Sequence, residues 1–535
     1  MSRSDDARWR VEGVAAEDRP RIDAVIMSNL AVFQNAGVLA VRAGYKVADG
    51  WPTREPAIVA TVERRSDAAA EADRLPERID GVAVDVRQAS PLKVLELTDP
   101  ASYDAVVEQL PAEQRVPRFA GERVLVETPT AQALFTARPP KPRLPYEGPA
   151  GVDLTPVEGE FTVTCHASPD AGWPTLSTFL AATKEGLTLG LYDFTSAHVL
   201  TAVKAALAGK RLDLVLDHPP RNPTADQTND DTHSALVDAL GSGLRFAWAL
   251  DGHDPLAAVA IFANAYHIKV AVRDQQAFWL SSGNWNNSNQ PDIDPVNNPD
   301  DASAAKDRDR DWHVIVQRPD LSRTFAAYLE HDLAVAAEHQ AETPDGTLVA
   351  AEALPLESLR LAPRAFAQFF EPRTFTRKMR IQPLLTPDAG VYSGAVLDLI
   401  RSASESLYIQ TQYAHPSGHP EDSSFMDLLR AVIDRQQAGV DVRLIFSQWQ
   451  RISYLQQLQA VGFDLAHVRI QQGVHNKGIV CDGTSVLISS QNWSADGVLR
   501  NRDAGLIIEQ PEIAQYFQAV FMHDWENLAH QHALD

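Results

Sequence analysis

The sequence has few cysteines and no excess of positive charge. Its only two cysteines, Cys165 and Cys481, lie far apart in a chain of 535 residues, which excludes a disulfide framework and a Cys-x-x-Cys metal or redox motif and favours a reducing cytoplasm. The 48 Lys and Arg residues against 71 Asp and Glu residues give a net charge of −23. This balance disfavours a non-specific nucleic-acid coat, because counterion release requires a surplus of cations.

Long apolar runs are also lacking. The least charged stretch, residues 255–272, still contains Asn264, Tyr266, His267 and Lys269, so it fits a buried helix and strand better than a membrane span. The first ten residues are polar and charged, where a signal peptide needs an apolar core. We therefore expect a soluble, cytoplasmic protein without an integral membrane segment.

The chain is long enough for roughly three domains, each with its own core. Residues 1–137 show β-rich runs at 38–47, 57–62 and 82–86 and a helical apolar rhythm at 22–33, which predict a small accessory α+β domain. Residues 138–156 are rich in proline and predict a linker. No catalytic set of residues is found before this linker.

Two later segments repeat each other. Residues 267–285, HIKVAVRDQQAFWLSSGNW, align with residues 475–493, HNKGIVCDGTSVLISSQNW, and eight of the nineteen columns are identical. Downstream, Arg310-Asp311 matches Arg502-Asp503 and His331-Asp332 matches His523-Asp524, at an offset sixteen residues smaller. This pattern indicates a duplicated unit with an insertion in its first copy.

Each copy reads as a β-α-β-α-β unit that ends in a hairpin. The fold class is therefore α/β, with two tandem α/β/α sandwich repeats that form an internal pseudo-dimer. We expect the first repeat over 157–335, a connector over 336–377 and the second repeat over 378–535.

The hairpin of each copy carries the polar residues. His475 and Lys477 are two positions apart on a predicted strand and so face the same side. The turn at 482–483 sends the chain back, and the returning strand brings Ser490 and Asn492 to the same end. The first copy has the same arrangement, with His267, Lys269, Ser282 and Asn284.

This set of side chains is suited to the cleavage of a phosphodiester. A neutral imidazole can attack phosphorus, while ammonium groups and amides neutralise the charge that develops on the phosphoryl oxygens. One histidine is not enough, because the leaving alkoxide needs a proton and a water must then be deprotonated. A second histidine across a pseudo-twofold axis can supply both functions, so two half-sites would make one site.

The spacing His-x-Lys-x4-Asp occurs as His267, Lys269 and Asp274 and again as His475, Lys477 and Asp482. With the serine-rich strand ending in Asn, these two copies resemble the phospholipase D superfamily over about residues 157–535. The resemblance implies a metal-independent phosphodiesterase, of phospholipase D hydrolase or transphosphatidylase type, that needs no cofactor and forms a covalent phosphohistidine.

The resemblance also implies roles for individual residues. His267 is expected to be the nucleophile and His475 the general acid and base, with Lys269, Lys477, Asn284, Asn492, Ser282 and Ser490 around the phosphate. The family's downstream acid, which binds the other ring nitrogen of the histidine, is commonly Glu, and here Asp311 and Asp503 occupy the matching positions. Asp274 and Asp482 are expected to stabilise the hairpin turn rather than take part in the chemistry.

Three further features have competing interpretations. Trp285 and Trp493 are expected to pack beneath the hairpins, whereas Trp449 is either a substrate wall or a plain surface aromatic. The insertion, within 286–309, is rich in Asn, Asp and Pro. It leaves from the rim of the site, which is consistent with a solvated loop or with a gating or selectivity role, and it lacks the spacing of a calcium loop.

The substrate is left open between two classes. The acidic charge disfavours a duplex-binding nuclease, so a phospholipid or small phosphodiester is preferred over DNA or RNA. A catalytically silent binding module is the alternative of another class, although such a module is expected to have lost a histidine or lysine in one copy. Residues 1–137 are a candidate protein-partner or sensor unit.

Overall fold

The computed structural model describes residues 18–35, 38–48, 51–62, 75–89, 93, 97, 123–125, 146–217, 225–249, 262, 265–340, 366–387 and 390–531. The chain divides into two compact units. One comprises residues 1–134 with 534–535, and the other comprises residues 135–533. Within the described residues, no helix combines the length and the apolar character that crossing a bilayer requires.

The N-terminal unit contains a five-stranded sheet in the order β3-β4-β2-β1-β5. Apolar side chains of the sheet and the helices form its core, including Ile26, Phe33, Val41 and Ile58. Its elements are α1 (Arg19–Ser28), α2 (Leu30–Asn35), β1 (Ala40–Ala48), β2 (Trp51–Val62), β3 (Arg78–Ile79), β4 (Val82–Gln88) and β5 (Arg123–Val124). The helical rhythm at 22–33 thus forms two short helices, with the break at Asn29.

The large unit is a mixed α/β structure, in agreement with the predicted class. Its first part contains β6 (Val157–Ser168), α3 (Gly172–Ala181), β7 (Gly186–Leu191), α4 (Ala197–Ala206), β8 (Arg211–Leu216), α5 (Asn229–Leu240), β9 (Leu244–Trp248), β10 (Lys269–Arg273), β11 (Ala277–Ser281), α6 (Ala302–Ala305), β12 (Asp311–Gln317) and α7 (Pro319–Gln340). Most of these strands are continuous apolar runs, because helices cover both faces of the sheet.

The second part repeats this order. It contains β13 (Arg373–Thr386), α8 (Val391–Ser402), β14 (Ser406–Thr411), β15 (Ala414–His415), α9 (Ser423–Gln437), β16 (Asp441–Ser447), α10 (Ile452–Ala460), β17 (Val468–Gln471), β18 (Lys477–Cys481), β19 (Ser485–Ser489), β20 (Trp493–Ser494), α11 (Ala495–Leu499), β21 (Asp503–Glu509), α12 (Pro511–His523) and β22 (His530–Gln531). Helix α7 and strand β13 therefore extend into the predicted connector 336–377 from its two ends. The part of the linker at 138–145 lies outside the described residues.

Fifteen of these strands form one sheet, in the order β22-β17-β16-β14-β18-β19-β21-β13-β6-β12-β11-β10-β7-β8-β9. Strands β6 and β13 pair antiparallel at its centre, from Arg373 opposite Cys165 to Ile381 opposite Val157. Outward from this pair, the strands follow in equivalent order on both sides. Strands β10 and β18, which begin two residues after the signature histidines, therefore occupy equivalent places, each the fourth strand outward when β6 or β13 is counted as the first.

Candidate active site

Two hairpins position the signature residues. In the first, β10 pairs with β11 and with β7, and its turn has positive φ at Asp274 and Gln275. In the second, β18 pairs with β19 and β14, and Asp482 and Gly483 have positive φ. Lys269 and Lys477 are thus the first residues of central strands, and each histidine precedes its strand by two positions.

The motif aspartates lie at the far ends of these hairpins. The Asp274 carboxylate accepts hydrogen bonds from the backbone N–H groups of residues 184–186. Asp482 accepts equivalent bonds from residues 404–406. These backbone bonds outweigh burial and lower the pKa of both carboxyls. Both aspartates therefore fix the hairpin to the neighbouring loop and do not reach the histidines.

Each signature histidine bonds to the acid of the other copy. His267 Nδ1 lies 2.9 Å from Asp503 Oδ1, and His475 Nδ1 lies 3.0 Å from Asp311 Oδ1. A carboxylate at Nδ1 holds the proton there and leaves the Nε2 lone pair free. Neither repeat therefore holds a complete His-Asp pair of its own.

The sequence did not indicate that the pairing would cross between copies, but backbone contacts explain it. The Arg310 N–H donates to the Gly473 carbonyl at 2.6 Å, and the His475 N–H donates to the Arg310 carbonyl at 3.1 Å. These bonds place the start of β12 beside the residues that precede β18. On the other side, the Arg502 N–H donates to the Ala265 carbonyl at 3.0 Å.

The two lysines lie inside the same cluster. Lys477 Nζ is 3.2 Å from His475 Nε2, and each ammonium also donates to the carbonyl of its own histidine. Burial lowers the pKa of Lys477 to about 8, although Asp311, Asp503 and Asp309 raise it. Burial also lowers the pKa of Lys269 well below its usual value, against the opposing effect of Asp503. The cluster therefore holds two buried ammonium groups together with the carboxyls that oppose the lowering of their pKa.

The histidine environment favours neutral imidazoles in the free protein. Burial, followed by the charges of Lys269 and Lys477, lowers the pKa of His267 well below 6.5. Burial and Lys477 lower the pKa of His475 to about 4, although Asp311 opposes the shift. Neutral His267 retains the Nε2 lone pair that a nucleophile requires.

The two carboxyls differ in their electrostatic environment. Burial raises the pKa of Asp503 to about 7, although Lys269 and the Ser490 hydroxyl oppose the shift. Burial also acts to raise the pKa of Asp311, but the charge and hydrogen bond of His475 outweigh it, and the pKa falls to about 2. The pKa values of the two acids are therefore shifted in opposite directions, although the acids occupy matching positions in the two copies.

The serines and asparagines of the signature occupy different places. Ser282 Oγ donates to Asp311 Oδ1 at 2.7 Å, and Ser490 Oγ donates to Asp503 Oδ1 at 2.6 Å. The sequence predicts that both hydroxyls lie around the phosphate, and in the structure they donate to the carboxylates. The Asn284 and Asn492 side-chain oxygens are buried without a hydrogen-bond partner among the described residues. An amide oxygen only accepts hydrogen bonds, so the NH2 groups of these two side chains are the atoms that could donate to a phosphoryl oxygen.

The aromatic residues are distributed in three ways. Trp285 and Trp493 are fully buried, as expected for packing beneath the hairpins. Trp449 is half-buried in the loop after β16. Tyr192 was not singled out from the sequence, and its ring packs edge-on against His267 with a centroid distance of 5.0 Å.

Two buried arginines were recognised only as repeated columns. Arg310 Nε lies 2.8 Å from Asp524 of the second copy and also pairs with Asp170. Arg502 Nε lies 2.8 Å from Asp332 of the first copy. The matching Arg-Asp columns thus form ion pairs that, like the His-Asp pairs, cross between copies. They hold the strands that carry Asp311 and Asp503.

Replacing Arg310 with methionine is expected to destabilise the large unit by about 3–5 kcal/mol, because two buried carboxylates lose their cation. Urea denaturation would measure this change. The matched control is Arg430→Met, whose ion pair with Asp427 is exposed and should contribute under about 1 kcal/mol. Equal losses in the two variants would contradict the structural role of Arg310.

The insertion borders the cluster. A cavity of about 440 Å³ is lined by residues 286–288, 291–293 and 308 of the insertion, together with His198, Ala225 and Asp226. Asn286 donates to Asp193 at 2.8 Å, and Asp193 is within electrostatic reach of Lys269. No group of three or more metal-ligating side chains was found among the residues that the structure describes. The insertion is therefore an ordered wall beside the pocket.

Parts of the chain are similar to known proteins. Residues 396–525 match the family model "Cardiolipin synthase, PLD-like domain". A phospholipase D of Rickettsia felis is 28% identical over 153 residues, which are 28% of this chain and 70% of that protein. A mitochondrial cardiolipin hydrolase of Danio rerio is 29% identical over 107 residues, which are 19% of this chain and 47% of that protein.

Solved structures also resemble the chain. The phosphatidylserine synthase of Haemophilus influenzae Rd KW20 covers 69% of this chain and 87% of its own, with 11% identity and a TM-score of 0.46. The phospholipase D family member Nuc of Salmonella typhimurium covers 28% of this chain and 98% of its own, with 19% identity and a TM-score of 0.23. The family and sequence matches agree with the superfamily that the repeated signature resembles.

Proposed function

Since residues 396–525 match a PLD-like family model and a phospholipase D aligns with 28% of the chain, we propose that the chain belongs to the phospholipase D superfamily. We propose that it is a phosphodiesterase acting through a covalent phosphohistidine, with a phospholipid or small phosphodiester as substrate. The observation that carries the proposal is the pair of crossed His-Asp contacts, 2.9 Å for His267 with Asp503 and 3.0 Å for His475 with Asp311. Two tandem repeats, arranged as a pseudo-dimer, each contribute half of this one site.

In the first step, His267 Nε2 attacks the phosphorus. A bond forms between Nε2 and phosphorus while the bond to the leaving alcohol oxygen breaks, and His475 Nε2–H donates its proton to that oxygen. The negative charge of a bound phosphodiester raises the pKa of His475 and so favours the protonated acid. Asp503 stabilises the positive charge that develops on the His267 ring.

In the second step, neutral His475 removes a proton from water. The hydroxide oxygen bonds to phosphorus, the bond to His267 Nε2 breaks, and the phosphoryl product leaves with His267 restored. Replacing water by an alcohol in the same step gives transphosphatidylation. In both steps the phosphoryl oxygens are surrounded by four side chains. The ammonium groups of Lys269 and Lys477 neutralise their charge, and the NH2 groups of Asn284 and Asn492 donate hydrogen bonds to them.

The preference for a lipid follows from two observations. The matched relatives are named a phospholipase D and a cardiolipin hydrolase, and the chain carries a net charge of −23, which opposes broad adhesion to nucleic acid. The alternative is a metal-independent nuclease of the same superfamily, whose substrate would be DNA or RNA instead of a lipid. A silent binding module is disfavoured because both histidines and both lysines are intact.

We further propose a cytoplasmic location, because both cysteines are free and buried. Residues 1–137 are proposed as an accessory domain that binds a partner or regulates the enzyme. We also propose that the domains end where the sequence predicts.

Metal chelation is expected to leave the activity within about twofold of its original value, because imidazole supplies the nucleophile and both proton transfers. The assay uses wild-type protein with bis-p-nitrophenyl phosphate in EDTA and again with added magnesium. Activity that appears only with the metal would contradict the mechanism. The same preparation is then tested on phosphatidylcholine, cardiolipin, single-stranded DNA and RNA. Cleavage of nucleic acid with none of lipid would replace the substrate assignment.

A further inference from the structure

Tyr192 gives the two half-sites different side chains. Strand β7 ends opposite Lys269, and strand β14 ends opposite Lys477. The residue that follows the strand is Tyr192 in the first copy and Gln412 in the second. The position beside the first signature lysine therefore carries an aromatic ring, whereas the matching position of the second copy carries an amide.

The Tyr192 ring contacts both signature residues of its own copy. Its centroid lies 5.0 Å from that of the His267 imidazole, with 63° between the ring planes, and tilted arrangements of this kind are favourable for aromatic pairs. The Lys269 ammonium lies 5.4 Å from the same centroid, within the range of a cation–π attraction. Lys269 also donates to the His267 carbonyl, so the three residues form one packed group.

The backbone of Tyr192 is fixed by the buried side chain of Asn229. The Asn229 NH2 group donates to the Tyr192 carbonyl at 3.0 Å and to the Asp217 carbonyl at 2.8 Å. Its side-chain oxygen accepts from the Phe194 N–H at 2.9 Å. Because these three bonds anchor the chain after β7, the ring projects from a fixed position toward the imidazole.

The bond to Asp503 alone fixes only one atom of the His267 imidazole. The Nδ1 contact of 2.9 Å leaves the ring able to tilt about that bond, and the tilt changes the direction of the Nε2 lone pair. Attack requires this lone pair to point at phosphorus, and a misplacement of about 1 Å can lower a rate by about 10²-fold. A second ring packed against the imidazole limits the tilt.

We infer that Tyr192 is a positioning residue that sets the tilt of the His267 imidazole, and so the direction of its Nε2 lone pair, while holding the Lys269 ammonium beside it. This inference rests on the proposed function and deepens it, because it gives the half-site of the nucleophile a feature that the half-site of the general acid and base lacks. The role requires the aromatic ring and not the phenol hydroxyl.

Replacing Tyr192 with leucine is expected to lower the single-turnover rate on bis-p-nitrophenyl phosphate by about 10–100-fold, because the imidazole loses its second contact. The protein concentration that gives half of the maximal rate should change by less than about threefold, since the lysines and asparagines that hold the phosphate remain. Tyr192→Phe keeps the ring and should stay within about threefold of wild type in both quantities. Release of nitrophenolate with protein in excess measures both quantities.

Phe246→Leu is the matched control. The Phe246 ring stacks on His233 at 3.9 Å, on strand β9 at the edge of the large sheet, and its loss should leave the rate within about twofold of wild type. Tyr192→Gln introduces the residue of the second copy at a half-buried position. It should reproduce the loss of rate, so it decides the question if Tyr192→Leu does not fold.

An unchanged single-turnover rate in a folded leucine or glutamine variant would overturn the inference. An equal loss in Tyr192→Phe would also overturn it, as would a loss confined to substrate binding, which indicates a substrate contact instead of a positioning role. Wild-type protein that releases no nitrophenolate would instead reject the proposed function.

Discussion

Replacing His267 with alanine is expected to lower kcat on bis-p-nitrophenyl phosphate by about 10⁴-fold or more, because the attacking nitrogen is lost and no neighbouring group replaces it. Substrate binding should persist, since both lysines and both asparagines remain. The measurement is steady-state release of nitrophenolate over time, with protein folding checked by thermal denaturation.

His331→Ala is the matched control for this variant. His331 lies in the same repeat, and its imidazole bonds to the Glu147 carbonyl, away from the phosphate cluster. Its removal should leave kcat within about twofold of wild type, as for a surface substitution. A His267→Ala variant that keeps a tenth of the wild-type kcat would contradict the nucleophile assignment.

The second large effect is expected at the two crossed acids, and it should differ between them. Asp503→Asn removes the carboxylate at His267 Nδ1 and should slow formation of the phosphoenzyme by about 10²–10⁴-fold. Asp311→Asn removes the carboxylate at His475 and should slow the attack of water instead. With a nitrophenolate leaving group, which needs no proton to depart, Asp311→Asn should release one equivalent in a burst and then stall.

Double variants test whether the pairs cross between copies. Adding Asp503→Asn to His267→Ala should cause little further loss, because the two residues act as one unit. Pre-steady-state release of nitrophenolate distinguishes the single variants. If Asp503→Asn gave the burst and Asp311→Asn prevented it, each acid would serve the histidine of its own copy, contrary to the contacts described here.

The proximity of His475 and Lys477, 3.2 Å apart, could be predicted from the sequence because it is encoded locally. Period-two alternation places His475 and Lys477 on one face of a strand, and a turn signal brings Asn492 back to the same end. Repetition of the whole segment then indicated two half-sites. The strand order of the sheet could not be predicted in this way, because the pairing of strands that are distant in sequence depends on the packing of both repeats.

The partners of the acids could not be predicted, because neither strand periodicity nor repeat spacing encodes which copy supplies the carboxylate for a given histidine. The same is true of Arg310 and Arg502, whose pairs with Asp524 and Asp332 also cross between copies. The bond from the Ser282 hydroxyl to Asp311, at 2.7 Å, was likewise not indicated by the sequence.

The central claim is a covalent bond between His267 and phosphorus, and direct detection of that bond tests it. Asp311→Asn protein is mixed with bis-p-nitrophenyl phosphate in EDTA, quenched in base to preserve phosphohistidine, digested and analysed by mass spectrometry. We expect one nitrophenyl phosphoryl group on the peptide that contains His267, and none when His267 is also replaced by alanine. An adduct only on His475, or turnover by wild-type protein with no adduct in either protein, would contradict it.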